Sequence, residues 1–186
     1  QERQMVTQKG ENTYVVGIHG NFDDAQTGVK EIFSDKLFAS ELNEKGYQLS
    51  SANSINIGRL VPQIVYYVST YAQLVADEEI ALGDKINIVV PTGNFGNILA
   101  GYYAKQTGLP IDKLVCASND NNVLFDFFKT GTYNKNREFK KTISPSMDIL
   151  ISSNLERLLY HMHGNDDKQV IKLMKSLNEN GSYKVD

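Results

Sequence analysis

The sequence has one cysteine, no tryptophan and no long apolar run, and each absence excludes a class of protein. Cys116 cannot form an internal disulfide, and no Cys/His spacing resembles a zinc site, so we predict no metal and a cytoplasmic location. No stretch approaches the roughly 20 apolar residues of a membrane helix, so no membrane partner is predicted. Lys and Arg number 19 against 22 Asp and Glu, and this net charge of −3 excludes nucleic acid as an expected partner.

What is present is typical of a globular protein. The 186 residues are 41% hydrophobic and 22% charged, which fits a single domain over residues 1–186 with a real core. The chain begins at Gln1 without an initiator methionine, which indicates a mature product or a piece of something longer. The sequence leaves the oligomeric state open.

The pattern of apolar residues predicts an α/β fold. Predicted strands cover residues 14–18, 86–90 and 113–117, and predicted helices cover about 24–33, part of 35–53, 57–75, 97–106, 120–128, 155–160 and 168–177. Residues 129–148 are predicted to be a basic, Asn-rich and Ser-rich connection. Pro62 is expected to start or kink its helix, and Ser153 and Glu156 have the spacing of a capping box.

The second and third strands enclose a helix and form a βαβ unit. Both strands read as buried on both faces, because their apolar residues are nearly continuous. We therefore expect a mainly parallel sheet in a three-layer α/β/α arrangement.

The best candidate site is the loop between the second strand and the following helix. Its residues are Pro91-Thr92-Gly93-Asn94-Phe95-Gly96-Asn97. Loop amides and a helix N-terminus bind phosphate well at the carboxyl end of a parallel strand. Gly93 and Gly96 would allow close approach or a positive φ, and the side chains of Asn94 and Asn97 could donate to phosphate oxygens. A tight turn without any ligand is the alternative.

This loop differs from two common nucleotide-binding patterns. A Walker loop requires Lys and then Ser or Thr after its second glycine, whereas Gly96 is followed by Asn97, so that mode is rejected. An NAD(P)-type dinucleotide module stays open, with Asp120 facing a ribose hydroxyl, although the glycine pattern differs. A non-catalytic interaction domain also stays open.

Together with Ala100 and Gly101, this loop resembles the phosphate-binding loop of threonine synthases, pyridoxal-phosphate (PLP) enzymes of fold type II, which share the fold of the tryptophan synthase β-subunit. Further segments resemble that family in the same order along nearly the whole chain. They are Gln1-Glu2-Arg3-Gln4-Met5, Gly20-Asn21-Phe22-Asp23-Asp24, Asn53-Ser54-Ile55-Asn56 with Arg59, Gln63-Ile64-Val65-Tyr66-Tyr67, Ser144-Pro145-Ser146-Met147-Asp148 and Ser152-Ser153-Asn154-Leu155-Glu156-Arg157-Leu158.

The resemblance implies an enzyme that converts O-phospho-L-homoserine and water to L-threonine and phosphate. It implies that Gly93, Asn94, Phe95, Gly96 and Asn97 bind the cofactor phosphate, with Phe95 acting through its backbone amide. The family's Schiff-base lysine motif and its pyridine-nitrogen contact have no counterpart here, so no catalytic residue is assigned. The chain is therefore expected to be an interior portion that is inactive alone.

A second cluster is a weaker candidate for binding the substrate. Asn53, Ser54, Asn56 and Arg59 stand where a polar stretch enters the long apolar helix, and an Arg fork suits a phosphate or carboxylate. A helix cap with an interdomain ion pair is the competing interpretation.

Overall fold

The computed structural model describes residues 10–20, 22–54 and 56–185. The predictions made for residues 1–5, Asn21 and Ile55 lie outside this part of the chain. The chain divides into two compact units, Gln1–Leu49 and Ser50–Asp186.

The described residues of the first unit include the helices α1 (Phe22–Ser34) and α2 (Lys36–Glu44), as predicted. Asp35 begins α2, because its carboxylate accepts hydrogen bonds from two amides of the first turn. The predicted strand at residues 14–18 is wrong: these residues form no regular structure, and Tyr14 and Val16 are more than four-fifths exposed. Their β-propensity had indicated a strand, but among the described residues no neighbouring strand pairs with them.

The second unit alternates helices and strands. In chain order these are α3 (Ile57–Leu60), a 3₁₀ turn (Val61–Gln63), α4 (Ile64–Ala76), β1 (Ile86–Pro91), α5 (Gly96–Gln106), β2 (Ile111–Ala117), α6 (Val123–Thr130), β3 (Thr132–Asn134), a 3₁₀ turn (Pro145–Met147), α7 (Leu155–Met162), α8 (Asp167–Asn180) and β4 (Ser182–Lys184). Pro62 breaks the first long helix with its 3₁₀ turn, because proline has no amide hydrogen to donate.

The predicted βαβ unit is confirmed. β1 pairs with β2 in parallel, with Val90 opposite Cys116, and α5 connects the two strands. The prediction that both faces of these strands are buried is wrong. Val89 and Val115 are 64% and 43% exposed, whereas Val90, which points to the opposite face, is buried in the core.

A second, antiparallel sheet pairs β3 with β4. β3 lies in the stretch that was predicted to be an irregular connection, and no element was predicted at β4. Tyr133 and Tyr183 face each other across it, and their rings stack with centroids 5.1 Å apart. Strands of three residues carry too little periodicity to be found from sequence.

Gly101 allows α5 to approach α4 closely. A Cβ atom at Gly101 would stand 2.7 Å from Cε1 of the Tyr67 ring and 3.0 Å from Cδ2 of Leu114. We predict that Gly101→Ala lowers the free energy of unfolding by about 1–3 kcal/mol through overpacking. Urea denaturation followed by far-UV circular dichroism measures this change.

Gly28→Ala is the matched control, because a Cβ there meets no atom within 4 Å. It lies inside α1, so we expect a neutral or stabilising effect of up to about 1 kcal/mol. Equal losses for the two variants would contradict the packing argument.

Candidate functional site

The candidate loop is attached to the carboxyl ends of both parallel strands. The amide of Thr92 donates to the carbonyl of Ala117, at the end of β2, over 2.8 Å. The Thr92 hydroxyl donates to the carbonyl of Val90 over 2.7 Å. The loop therefore begins at a fixed point on the sheet.

The turn into α5 is made by Phe95 rather than by a glycine. Phe95 has a φ of 64°, in the left-handed region, whereas neither Gly93 nor Gly96 has a positive φ. Its ring is 4% exposed and lies 6.0 Å from the ring of Phe128. Burial of the ring offsets the cost of this backbone conformation. Of the two roles expected for the glycines, close approach or a positive φ, the positive φ is therefore found at neither.

The two glycines of the loop have different surroundings. A Cβ at Gly93 would stand 3.2 Å from Sδ of Met147 and from the carbonyl oxygen of Ser146. A Cβ at Gly96 would lie 3.6 Å from Nδ2 of Asn154 and 3.8 Å from Cβ of Ser54, at ordinary van der Waals distance. Close approach of another segment thus explains Gly93, whereas a Cβ at Gly96 would fit against its neighbours.

The backbone amides of residues 93–97 are the main chemical resource of the loop. Within the described residues, none of these five N–H groups donates a hydrogen bond to the backbone or to a side chain. They precede or open α5, whose N-terminal end carries a partial positive charge. A run of free amides at such an end is suited to an anion such as phosphate.

The side chains of the two asparagines in the loop differ in their hydrogen-bond partners. Oδ1 of Asn94 is buried and has no hydrogen-bond partner among the described residues. The Asn97 side chain is engaged on the protein side: the Tyr67 hydroxyl donates to its Oδ1 over 2.6 Å, and its Nδ2 donates to Oε1 of Gln63 over 3.2 Å. Burial raises the pKa of Tyr67 to about 12, which keeps it a donor at neutral pH.

The segment that precedes α7 holds the loop by hydrogen bonds to its carbonyl groups. The Ser152 hydroxyl donates to the carbonyl of Gly93 over 2.7 Å. Asn154 donates to the carbonyl of Asn94 twice, from its backbone amide over 3.1 Å and from Nδ2 over 2.8 Å. Sequence reasoning missed both roles, and the signal that could have found them was only that 152–154 lies in a stretch resembling the family.

Two further buried polar atoms lie close in sequence to residues bonded to this loop. Besides Asn94 Oδ1, the hydroxyl oxygens of Ser118 and Ser153 are buried without a partner among the described residues. Ser118 follows the residue that accepts from Thr92, and Ser153 precedes Asn154. Buried polar atoms without a partner are rare in native proteins, and each of them could bind a water molecule or a polar ligand.

The same observations correct the capping box. The N-cap of α7 is Asn154, one residue after the predicted Ser153, and neither side chain caps the helix. The oxygen Oδ1 of Asn154, which could cap the helix, instead accepts from Nη1 of Arg157, while Nδ2 donates to the loop.

The second candidate cluster is partly joined to the loop. Nδ2 of Asn154 also donates to the carbonyl of Ser54 over 2.9 Å, which places Ser54 next to the loop. Asn53 accepts from the Ser51 hydroxyl over 2.7 Å, and Asn56 caps α3, as the helix-cap interpretation predicted. Arg59 is exposed and donates to the carbonyl of Ala52 over 2.7 Å. A role of this cluster in substrate binding stays a prediction.

The other candidate side chains add little chemistry. Asp120 is exposed in the bend after β2. Burial raises the pKa of the half-buried Cys116 thiol, against the opposing effect of a hydrogen bond with Thr92, which makes a nucleophilic role unfavourable. In the described part of the chain, no three His, Cys, Asp or Glu residues are grouped to hold a metal ion. The helices described there include none with the length and apolarity needed to cross a membrane.

A buried carboxylate organises the segment that packs on Gly93. Asp148, 3% exposed, accepts hydrogen bonds from the amide and hydroxyl of Thr142 and from the side chains of Asn119 and Asn121, at 2.7–3.1 Å. Burial alone would raise the pKa of Asp148, but these bonds outweigh burial and hold it below its usual range. The carboxylate thus fixes the chain next to Met147.

Comparison with known proteins gives a consistent result. No protein-family model matches the chain. Threonine synthase-like 1 from Homo sapiens is 47% identical over the whole chain, and threonine synthase from Saccharomyces cerevisiae is 42% identical over the whole chain. The crystal structure of PLP-bound threonine synthase from Brucella melitensis superposes on 99% of the chain with a TM-score of 0.82 and 43% identity.

The chain belongs to the threonine synthase family. These matches confirm the expected fold, that of fold type II PLP enzymes. The chain spans 25% of the human relative, 36% of the yeast relative and 37% of the B. melitensis chain. It therefore corresponds to part of the length of these threonine synthase family members.

The low pKa of Asp148 gives a pH-dependent test of its role. A depressed pKa in the folded state stabilises the fold fully above the unfolded pKa of about 4, and the stabilisation is lost as pH falls through the folded pKa. We predict that Asp148→Asn lowers the free energy of unfolding at pH 7 by about 1–3 kcal/mol, and that this gap narrows below about pH 4. Urea denaturation at pH 3 to 7 measures it.

Asp112→Asn is the matched control, because Asp112 is exposed on β2. A surface change of this kind is expected to stay within about 0.5 kcal/mol at every pH. A constant gap between Asp148→Asn and the unsubstituted chain would contradict the prediction.

Proposed function

We propose that this chain is the part of a threonine synthase that binds the phosphate of pyridoxal phosphate. The enzyme would convert O-phospho-L-homoserine and water to L-threonine and phosphate. The observation that carries the proposal is the run of five free amides at residues 93–97, in a chain that shares its fold with a PLP-bound threonine synthase.

The residues present fit this cofactor. The amides of residues 93–97 would donate to the phosphate oxygens. The unpartnered Oδ1 of Asn94 can only accept a hydrogen bond, so it would meet a donor group rather than a phosphate oxygen. When bound, pyridoxal phosphate supplies an electron sink for carbanion chemistry, while the protein orients it and stabilises charge.

The substrate is proposed to meet the cluster formed by Asn53, Ser54, Asn56 and Arg59. Ser54 supports this because Asn154 holds it beside the loop, and Arg59 supports it because its exposed guanidinium suits an anionic substrate. The catalytic lysine is proposed to lie outside these 186 residues, so the isolated chain should be inactive. The lone free thiol of Cys116 supports a cytoplasmic location.

The function is tested with the full-length gene product. Supplied with pyridoxal phosphate and O-phospho-L-homoserine, it should release L-threonine and inorganic phosphate in equal amounts, while the 186-residue chain alone should release neither. Amino-acid analysis and a phosphate assay measure the two products. Saturable cofactor binding without turnover of this substrate would reject the proposed reaction and leave only cofactor binding.

The role of Arg59 is tested separately. We predict that Arg59→Gln raises the KM for O-phospho-L-homoserine about tenfold, because one charge-assisted hydrogen bond to the anion is lost. The affinity for pyridoxal phosphate should not change. Steady-state kinetics and a cofactor titration separate the two effects.

Lys105→Gln is the control for this change of charge. Lys105 is exposed in the last turn of α5, at the end of that helix opposite to the loop. Its KM should match that of the unsubstituted enzyme. An unchanged KM in Arg59→Gln would remove Arg59 from the substrate site.

A further inference from the structure

One side-chain amide touches both candidate subsites. Asn154 is fully buried, and its Nδ2 donates to the carbonyl of Asn94 in the phosphate loop and to the carbonyl of Ser54 in the second cluster. These two carbonyls lie 40 residues apart in the sequence, and α4 and β1 come between them along the chain. A single group thus fixes the distance between the two segments.

The orientation of this amide is determined by its neighbours. Nη1 of Arg157 donates to Oδ1 of Asn154. A guanidinium offers only donors and a carbonyl only accepts, so the amide oxygen must face Arg157 and the nitrogen must face the two carbonyls. The Asn154 side chain therefore has one arrangement that satisfies all its partners.

Holding the carbonyls of the loop also determines where its amides point. In a planar trans peptide the C=O and the next N–H point in opposite directions. Ser152 and Asn154 hold the carbonyls of Gly93 and Asn94 from one side. The amides of the next residues, Asn94 and Phe95, must then point away from the segment 152–154, free to meet a ligand.

A purely local role for Asn154 does not account for these contacts. As the N-cap of α7 it could accept from an amide of its own helix, but its side chain makes no such bond. Its side chain instead serves two segments distant in sequence, at the cost of burying a carboxamide completely.

We propose that Asn154 is a positioning residue for the cofactor phosphate. With Ser152, it orients the amides of the loop toward the phosphate, and through Ser54 it ties that loop to the segment proposed to bind the substrate. This inference rests on the proposed function, because it assumes that the loop binds the phosphate of pyridoxal phosphate.

The test compares a ligand that carries the phosphate with one that lacks it. Pyridoxal phosphate and pyridoxal are titrated separately into the full-length gene product. The dissociation constant of pyridoxal divided by that of pyridoxal phosphate, called the ratio below, isolates the contribution of the phosphate. For Asn154→Ala we expect pyridoxal phosphate to bind about tenfold more weakly or worse, since the two hydrogen bonds to the carbonyls of Asn94 and Ser54 are lost together with the one from Arg157, while pyridoxal changes by less than about twofold.

Two further variants keep the test decisive. Ser152→Ala removes one hydroxyl that bonds Gly93 and should lower the ratio in the same direction by a smaller factor, even if Asn154→Ala does not fold. Tyr71→Phe is the control: it also removes two hydrogen bonds from a buried side chain, to Asp84 and Gly83, but before β1 and away from the loop. Its ratio should equal that of the unsubstituted protein.

Each outcome supports or overturns the inference. A fall in the ratio for Asn154→Ala and Ser152→Ala, but not for Tyr71→Phe, supports it. If the binding of both ligands weakens by the same factor, or if neither affinity changes, the ratio stays the same. Either result would show a merely structural role for Asn154 and overturn the inference, while leaving the proposed function in place. An unsubstituted protein that binds pyridoxal phosphate no better than pyridoxal would instead refute phosphate binding by the loop, and both proposals with it.

Discussion

The site depends on the hydrogen bonds that Ser152 and Asn154 donate to the carbonyls of the loop after β1. A four-residue connection between a strand and a helix has many backbone arrangements, and in most of them its N–H groups point in different directions. Two carbonyls held from one side leave the following amides pointing to the other. The free N–H groups at the start of α5 can then act together on one anion, which separate turns could not do.

Hydrogen bonds and packing in the rest of the second unit hold the loop in this arrangement. Thr92 joins the loop to the ends of both parallel strands. The buried ring of Phe95 stabilises a left-handed backbone conformation that residues other than glycine usually avoid. Gly93 and Gly101 let neighbouring segments come close, the first against residues 146–147 and the second against Tyr67. Apolar packing thus determines the position of a polar site.

Much of this could be read from the sequence, for physical reasons that differ by feature. The βαβ unit was predictable because two apolar runs flank a helical pattern, and the loop because glycine and asparagine stand at the end of a strand. The strand predicted at residues 14–18 failed because β-propensity does not supply a partner strand. β3 and β4 were missed because three residues show no period, and their pairing depends on contacts about 50 residues apart.

The sequence by itself determined the fold class, the family and the loop that carries the free amides, because these depend on local pattern and on residues close together in the chain. Only the tertiary structure decided how the loop is oriented. Asn94 meets Asn154 across 60 residues, and Ser54 meets it across 100, so neither contact leaves a local signal. The polar groups on which the site depends belong to segments that only folding brings together.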